Sequence, residues 1–137
     1  MQQTLLLAFR PQGTPPAGDP PSFEVKAGPG TVTLLEGDDR DVPTSASYQT
    51  RVTFTGEATF VEEGEIAFDG GGLRVSTVGS GAIEPSAEEG TLRGAVIWRV
   101  EGTGGWSGVT GLLAANFLFH PDTGTAEEHV IARLYRP

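Results

Sequence analysis

The chain reads as an all-β protein, a closed antiparallel β-barrel of about eight strands, and three observations carry that reading. Apolar and polar residues alternate over long stretches, twenty glycines and ten prolines are spread through the 137 residues, and no segment keeps a helical period. Alternation marks a strand with one buried and one solvated face. Scattered Gly and Pro mark turns. Strands joined in sequence by short turns lie side by side, and eight of them remove their edges by closing. A two-sheet sandwich would show the same alternation.

The first strand is Gln3 to Phe9. The proline-rich stretch from Pro11 to Pro21 ends it, because proline brings no donor to a ladder. Long loops in compact domains tend to be either lids or simply disordered, and this one is read as a cap for one barrel mouth or as a surface loop without a role. Ser22 to Ala27 and Thr31 to Leu35 flank Gly28-Pro29-Gly30 and are expected to pair as a hairpin. Glu36 to Asp41 carries too much charge to be desolvated and reads as a solvated loop. Tyr48 to Val61 reads as one long strand, with Val52, Phe54, Ala58 and Phe60 on one parity and Gln49, Arg51, Thr53, Thr55, Glu57 and Thr59 on the other. Gly64 to Phe68 and Leu73 to Ile83 flank Asp69-Gly70-Gly71-Gly72, a hairpin tip that needs positive φ. Gly90 to Glu101 alternates again. Gly111 to His120 and Glu128 to Tyr135 follow, joined across Pro121-Asp122-Thr123-Gly124.

A chain of 137 residues fits one domain, residues 1–137. Eighteen carboxylates against nine Lys and Arg give a net charge of −9, a surface that repels phosphate backbones and anionic headgroups. Neither nucleic acid nor membrane is an expected partner. There is no cysteine, so disulfides and thiolate sites are excluded and a cytoplasmic location is the expectation. Leu5 to Phe9 is too short to span a bilayer and lacks a charged leader.

The stretch Val100-Glu101-Gly102-Thr103-Gly104-Gly105-Trp106-Ser107-Gly108-Val109-Thr110-Gly111 resembles the glycine-rich signature of the allene oxide cyclases and the related dirigent proteins. Asn116 to Pro121 and the closing strand to Tyr135 extend the likeness over the last third of the chain. In plan, the length and the proline-rich insert are also similar to the small bacterial barrels that close spirotetronate polyketides by [4+2] addition. The resemblance implies a calycin-type barrel and a cyclase or isomerase of natural-product biosynthesis. The polar catalytic groups of allene oxide cyclases have no counterpart in the proline-rich region, so none is carried over. Independently of any family, Gly102, Gly104 and Gly105 permit a tight reversal and Trp106 can plug a barrel end.

Parity sends Val52, Phe54, Phe60, Val75, Val96, Trp98, Leu113, Phe117, Phe119, Val130 and Leu134 inward, and Arg51, Arg74, Arg99, Glu101, Asn116, His129 and Arg133 outward. Tyr48, Thr50 and Thr77 are then the few polar groups inside. An apolar lumen with a few convergent hydroxyls is the usual make-up of a small-molecule site, so Tyr48, Thr50, Phe54, Thr77, Trp98, Phe117 and Phe119 are the expected contacts for an apolar ligand; a packed core that binds nothing would show the same pattern. No catalytic residue and no cofactor is assigned. His120 and His129 fall short of a zinc site, which needs a third ligand. Glu62, Glu63, Glu65, Glu88 and Glu89 stand beside glycines and read as solvated turns. A carrier without turnover, or a barrel acting as a homodimer, would fit the same pattern.

Overall fold

The computed structural model describes residues 1–137 and contains ten strands. They are β1 (Gln2–Phe9), β2 (Gln12–Gly13), β3 (Ser22–Gly37), β4 (Ser45–Phe54), β5 (Thr59–Phe68), β6 (Gly71–Thr77), β7 (Gly81–Pro85), β8 (Leu92–Gly104), β9 (Thr110–His120) and β10 (Thr125–Tyr135). All pairings are antiparallel, and they close in the order β1, β10, β9, β8, β6, β5, β4, β3 and back to β1. The barrel therefore has eight staves. Two of these are broken: β2 continues the line of β1 between β3 and β10, and β7 continues that of β6 between β5 and β8. The broken staves stand opposite one another, four steps apart in either direction.

Four of the expected elements are redrawn. Tyr48 to Val61 is two strands, β4 and β5, joined by a tight turn tied by Thr55 N–H to Thr59 O (3.0 Å) and by their hydroxyls (2.9 Å). Four residues separate Phe54 from Thr59. The alternation therefore stays in phase through the turn, and Phe54 pairs with Phe60 on one face. Ser22 to Gly37 is one strand and not a hairpin. Its register shifts between Ala27 and Gly30, so Gly-Pro-Gly makes a bulge, and a Cβ at Gly30 would overlap the carbonyl of Ala8 on β1. The proline-rich stretch, expected to make no ladder, contributes β2. Gln12 and Gly13 sit opposite Lys26 and Val25. Leu73 to Ile83 is also interrupted, between Thr77 and Gly81, as the second broken stave.

The core occupies the barrel interior, as parity requires. Leu5, Leu7, Ile66, Leu73, Val75, Trp98, Val100, Leu113 and Val130 are fully buried there, and the expected outward residues Arg51, Arg74, Arg99, Glu101, Asn116, His129 and Arg133 are all exposed. The two ends differ. At the end where β1 begins, Gln3 is buried and donates through Nε2 to the carbonyls of Asp38 (2.8 Å) and Arg40 (2.9 Å), pinning the acidic loop across the opening. Trp106 packs on Phe68 with ring centroids 4.5 Å apart and lies under the Arg136 guanidinium at 4.3 Å. Trp106 thus plugs this end, and a Cβ on Gly102 would overlap its carbonyl oxygen. The acidic loop's position follows from Gln3, not from solvation alone.

Candidate functional site in the barrel lumen

The other end is aromatic. Six of the seven phenylalanines, Phe9, Phe23, Phe54, Phe60, Phe117 and Phe119, fall in that half of the barrel. Phe23 and Phe54 lie 5.8 Å apart and Phe60 and Phe117 lie 6.1 Å apart, in tilted pairs. Phe54, Phe117 and Phe119 are half-buried, whereas Phe9 and Phe60 are buried. Glycines make room for the rings. A Cβ at Gly81 would overlap Phe60, and one at Gly94 would overlap Phe117. Of the expected contacts, Phe54, Phe117 and Phe119 stand half-buried near this end, and Tyr48, Thr50 and Trp98 lie buried further along the barrel.

The buried part of the barrel also holds two carboxyl groups. Glu62 on β5 is 5% exposed and Glu128 on β10 is 4% exposed. The expected solvated turn at Glu62 is corrected by this burial: Glu62 sits mid-strand opposite Val52 and shares the inward parity of Phe60 and Ile66. Glu128 shares the parity of Val130 and Leu134. Strict application of the alternation rule finds both, and Gly64, between Glu63 and Glu65, hides the first. Glu63, Glu65, Glu88 and Glu89 are exposed.

Tyr48 donates its hydroxyl to Glu128 Oε1 at 2.5 Å, and Thr50 donates to Glu62 Oε2 at 2.5 Å. The Tyr48 ring stacks on Phe9 (4.8 Å, 7°) and stands 6.0 Å from Trp98. Thr77 is spent on the backbone: its hydroxyl accepts from Glu62 N–H (2.7 Å) and donates to Glu62 O (2.9 Å), bridging the broken stave. Every Lys and Arg lies outside the lumen, so neither carboxyl has a cationic partner. Burial raises Glu62 to about 7, against the opposing hydrogen bond from Thr50 and the nearby Trp98 N–H. Burial raises Glu128 to about 8, helped by the negative charge of Glu62 and opposed by the Tyr48 hydrogen bond. Burial also raises the Tyr48 phenol, with further contributions from Glu128 and Glu62. Near neutral pH the pair therefore holds on to protons, one carboxyl ready to donate beside another able to accept.

The two histidines are set apart in the ladder, His120 opposite Thr125 and His129 opposite Asn116. A groove of about 580 Å³ on the outer wall is lined by Arg51, Glu63, Glu65, Arg74, Arg99 and Glu101 among others. It is a solvated charge ladder, with Arg51 to Glu24 at 3.0 Å and Arg74 to Glu101 at 3.9 Å.

No protein-family model and no curated protein matches the chain. Among solved structures it is similar to the pterocarpan synthase dirigent protein PsPTS1, at 20% identity over 97% of this chain and 95% of that one, with a TM-score of 0.48. A second is the pterocarpan synthase dirigent protein GePTS1, at 18% identity over 99% and 90%, again with a TM-score of 0.48.

Proposed function

We propose that the barrel takes a flexible apolar small molecule through its aromatic end and promotes an intramolecular ring closure or isomerisation, an activity suited to natural-product biosynthesis. The observation that carries this reading is the asymmetry of the lumen: one end plugged by Trp106 and Gln3, the other rimmed by phenylalanines, with two proton-retaining carboxyls between them. Aromatic walls hold a polyketide- or lipid-like chain by burial and leave its polar atoms to the buried polar groups. Holding a chain in a reactive fold removes much of the entropic part of a cyclisation barrier, as in an intramolecular [4+2] addition. Glu62 and Glu128 add proton donation and acceptance where the reaction calls for them. Residues 14–21 are exposed and stand at the aromatic end, where they act as its lid.

The test is to incubate the protein with linear polyenes bearing a diene and an activated alkene, and to look for isomers of unchanged mass. Accumulation of a cyclised isomer that depends on protein supports a cyclase. Saturable binding with the substrate recovered unchanged supports the carrier instead.

A further inference from the structure

One donor in the lumen makes no well-formed hydrogen bond. Trp98 Nε1 is a buried nitrogen without a hydrogen-bond partner, on a side chain that is fully buried, although almost all buried polar groups in proteins are paired. It points toward Glu62, at a geometry short of a hydrogen bond. The Glu62 carboxyl is itself half used: Thr50 occupies Oε2, while Oε1 accepts no hydrogen bond. The Tyr48 and Phe9 rings wall the same place. We propose, resting on the ligand-binding reading above, that Trp98 Nε1–H and the Glu62 carboxyl together donate to one oxygen of the ligand, so that the substrate class is a conjugated carbonyl compound, a polyenone or polyenal whose oxygen enters first.

The chemistry of the pair favours an acceptor. An N–H donor repels a cationic amine, and a carboxyl that keeps its proton near neutral pH presents a second O–H to a carbonyl. Two donors on a carbonyl oxygen draw electron density from the conjugated chain, which eases addition to its double bonds, and the protein forms no covalent bond in doing so. The other titratable groups facing Glu62 are Glu128 from β10 and Tyr48 from β4. The remaining staves, β1, β3, β6, β8 and β9, send no charged side chain into the lumen.

The probe is β-ionone, compared with the hydrocarbon in which its carbonyl oxygen is replaced by methylene. At pH 6 the ketone should bind roughly tenfold more tightly than the hydrocarbon, the scale of one or two net hydrogen bonds, and its absorption should shift to the red. The preference should fade as pH passes through about 7. In Glu62→Gln, which keeps a donor and cannot ionise, the preference should persist at high pH, and in Trp98→Phe, checked for fold by circular dichroism, it should drop severalfold. Equal binding of ketone and hydrocarbon by the wild-type barrel would overturn the inference and leave the ligand-binding reading standing. Binding of neither would overturn both.

Discussion

The hydroxyl of Tyr48 on β4 lies 2.5 Å from Oε1 of Glu128 on β10, although β3 and β1 stand between their strands in the wall. The bond therefore crosses the lumen. It ties two sides of the barrel together, and it fixes one of two carboxyls in a place where ionisation is costly.

Stability should fall as pH rises through the neutral range. Glu62 is raised from 4.5 to about 7 by burial, so between those values the folded chain keeps a proton that the unfolded chain has released. The stabilisation is present in full below about pH 4.5 and gone above about pH 7. Glu128, raised to about 8, adds a second fall over the same range, so Glu62→Gln should make the slope shallower without abolishing it and gain on the wild type by on the order of 3 kcal/mol between pH 4 and pH 8. Urea unfolding at a series of pH values checks it, and parallel curves for the two proteins would contradict it.

Trp98 should behave as a buried indole. In Trp106→Phe, the remaining tryptophan, fully buried, should emit in the blue and resist iodide. A red, readily quenched emission would contradict the inward parity of β8.

Gly102→Ala should disrupt the plugged end, because the added Cβ would overlap the Trp106 carbonyl, a backbone atom that cannot swing aside. The cost should be roughly 3 kcal/mol or more, in the range of overpacking and backbone displacement. Gly70→Ala meets no neighbour but sits at φ +81°, so its cost should be smaller, about 1 kcal/mol. Thermal midpoints of the two variants should keep that order.

Much of this architecture was legible in the sequence, because a barrel wall repeats one rule. The inward set from Val52 to Leu134 and the outward arginines follow from period two alone. What the sequence concealed has local causes. A four-residue turn preserved parity from Phe54 to Phe60 and disguised two strands as one. Gly28-Pro29-Gly30 carries the same residues whether it makes a turn or a bulge, and only the approach of Ala8 decides between them. Gly64 makes the acidic run at Glu62 look like a solvated turn, although its parity already places Glu62 beside Phe60. The inward parity of Tyr48, Thr50 and Trp98 is legible, but the pairing of Tyr48 and Thr50 with acids from β10 and β5 depends on the shear of the closed barrel, which no single strand reveals.

The loop over the aromatic end should matter for ligand retention more than for folding. Its exposed residues 14–20 can be replaced by a Gly-Ser linker while Gln12 and Gly13 keep their pairing with β3. The variant should hold its thermal midpoint within a few degrees and bind a hydrophobic probe severalfold more weakly. Unchanged affinity in a folded variant would dispose of the lid.

The most direct test of the central claim is a fluorescence titration of Trp106→Phe with retinol, an uncharged polyene that accepts energy from indole. With Trp98 as the sole tryptophan, buried in the lumen, its emission should be quenched saturably at a stoichiometry of about one, as expected for a single site. The change Phe117→Glu at the rim should weaken that quenching roughly tenfold or more, since it places a charge where a ring should meet the ligand. Quenching that never saturates, or that is indifferent to Phe117→Glu, would mean that the lumen is a packed core and the site lies elsewhere.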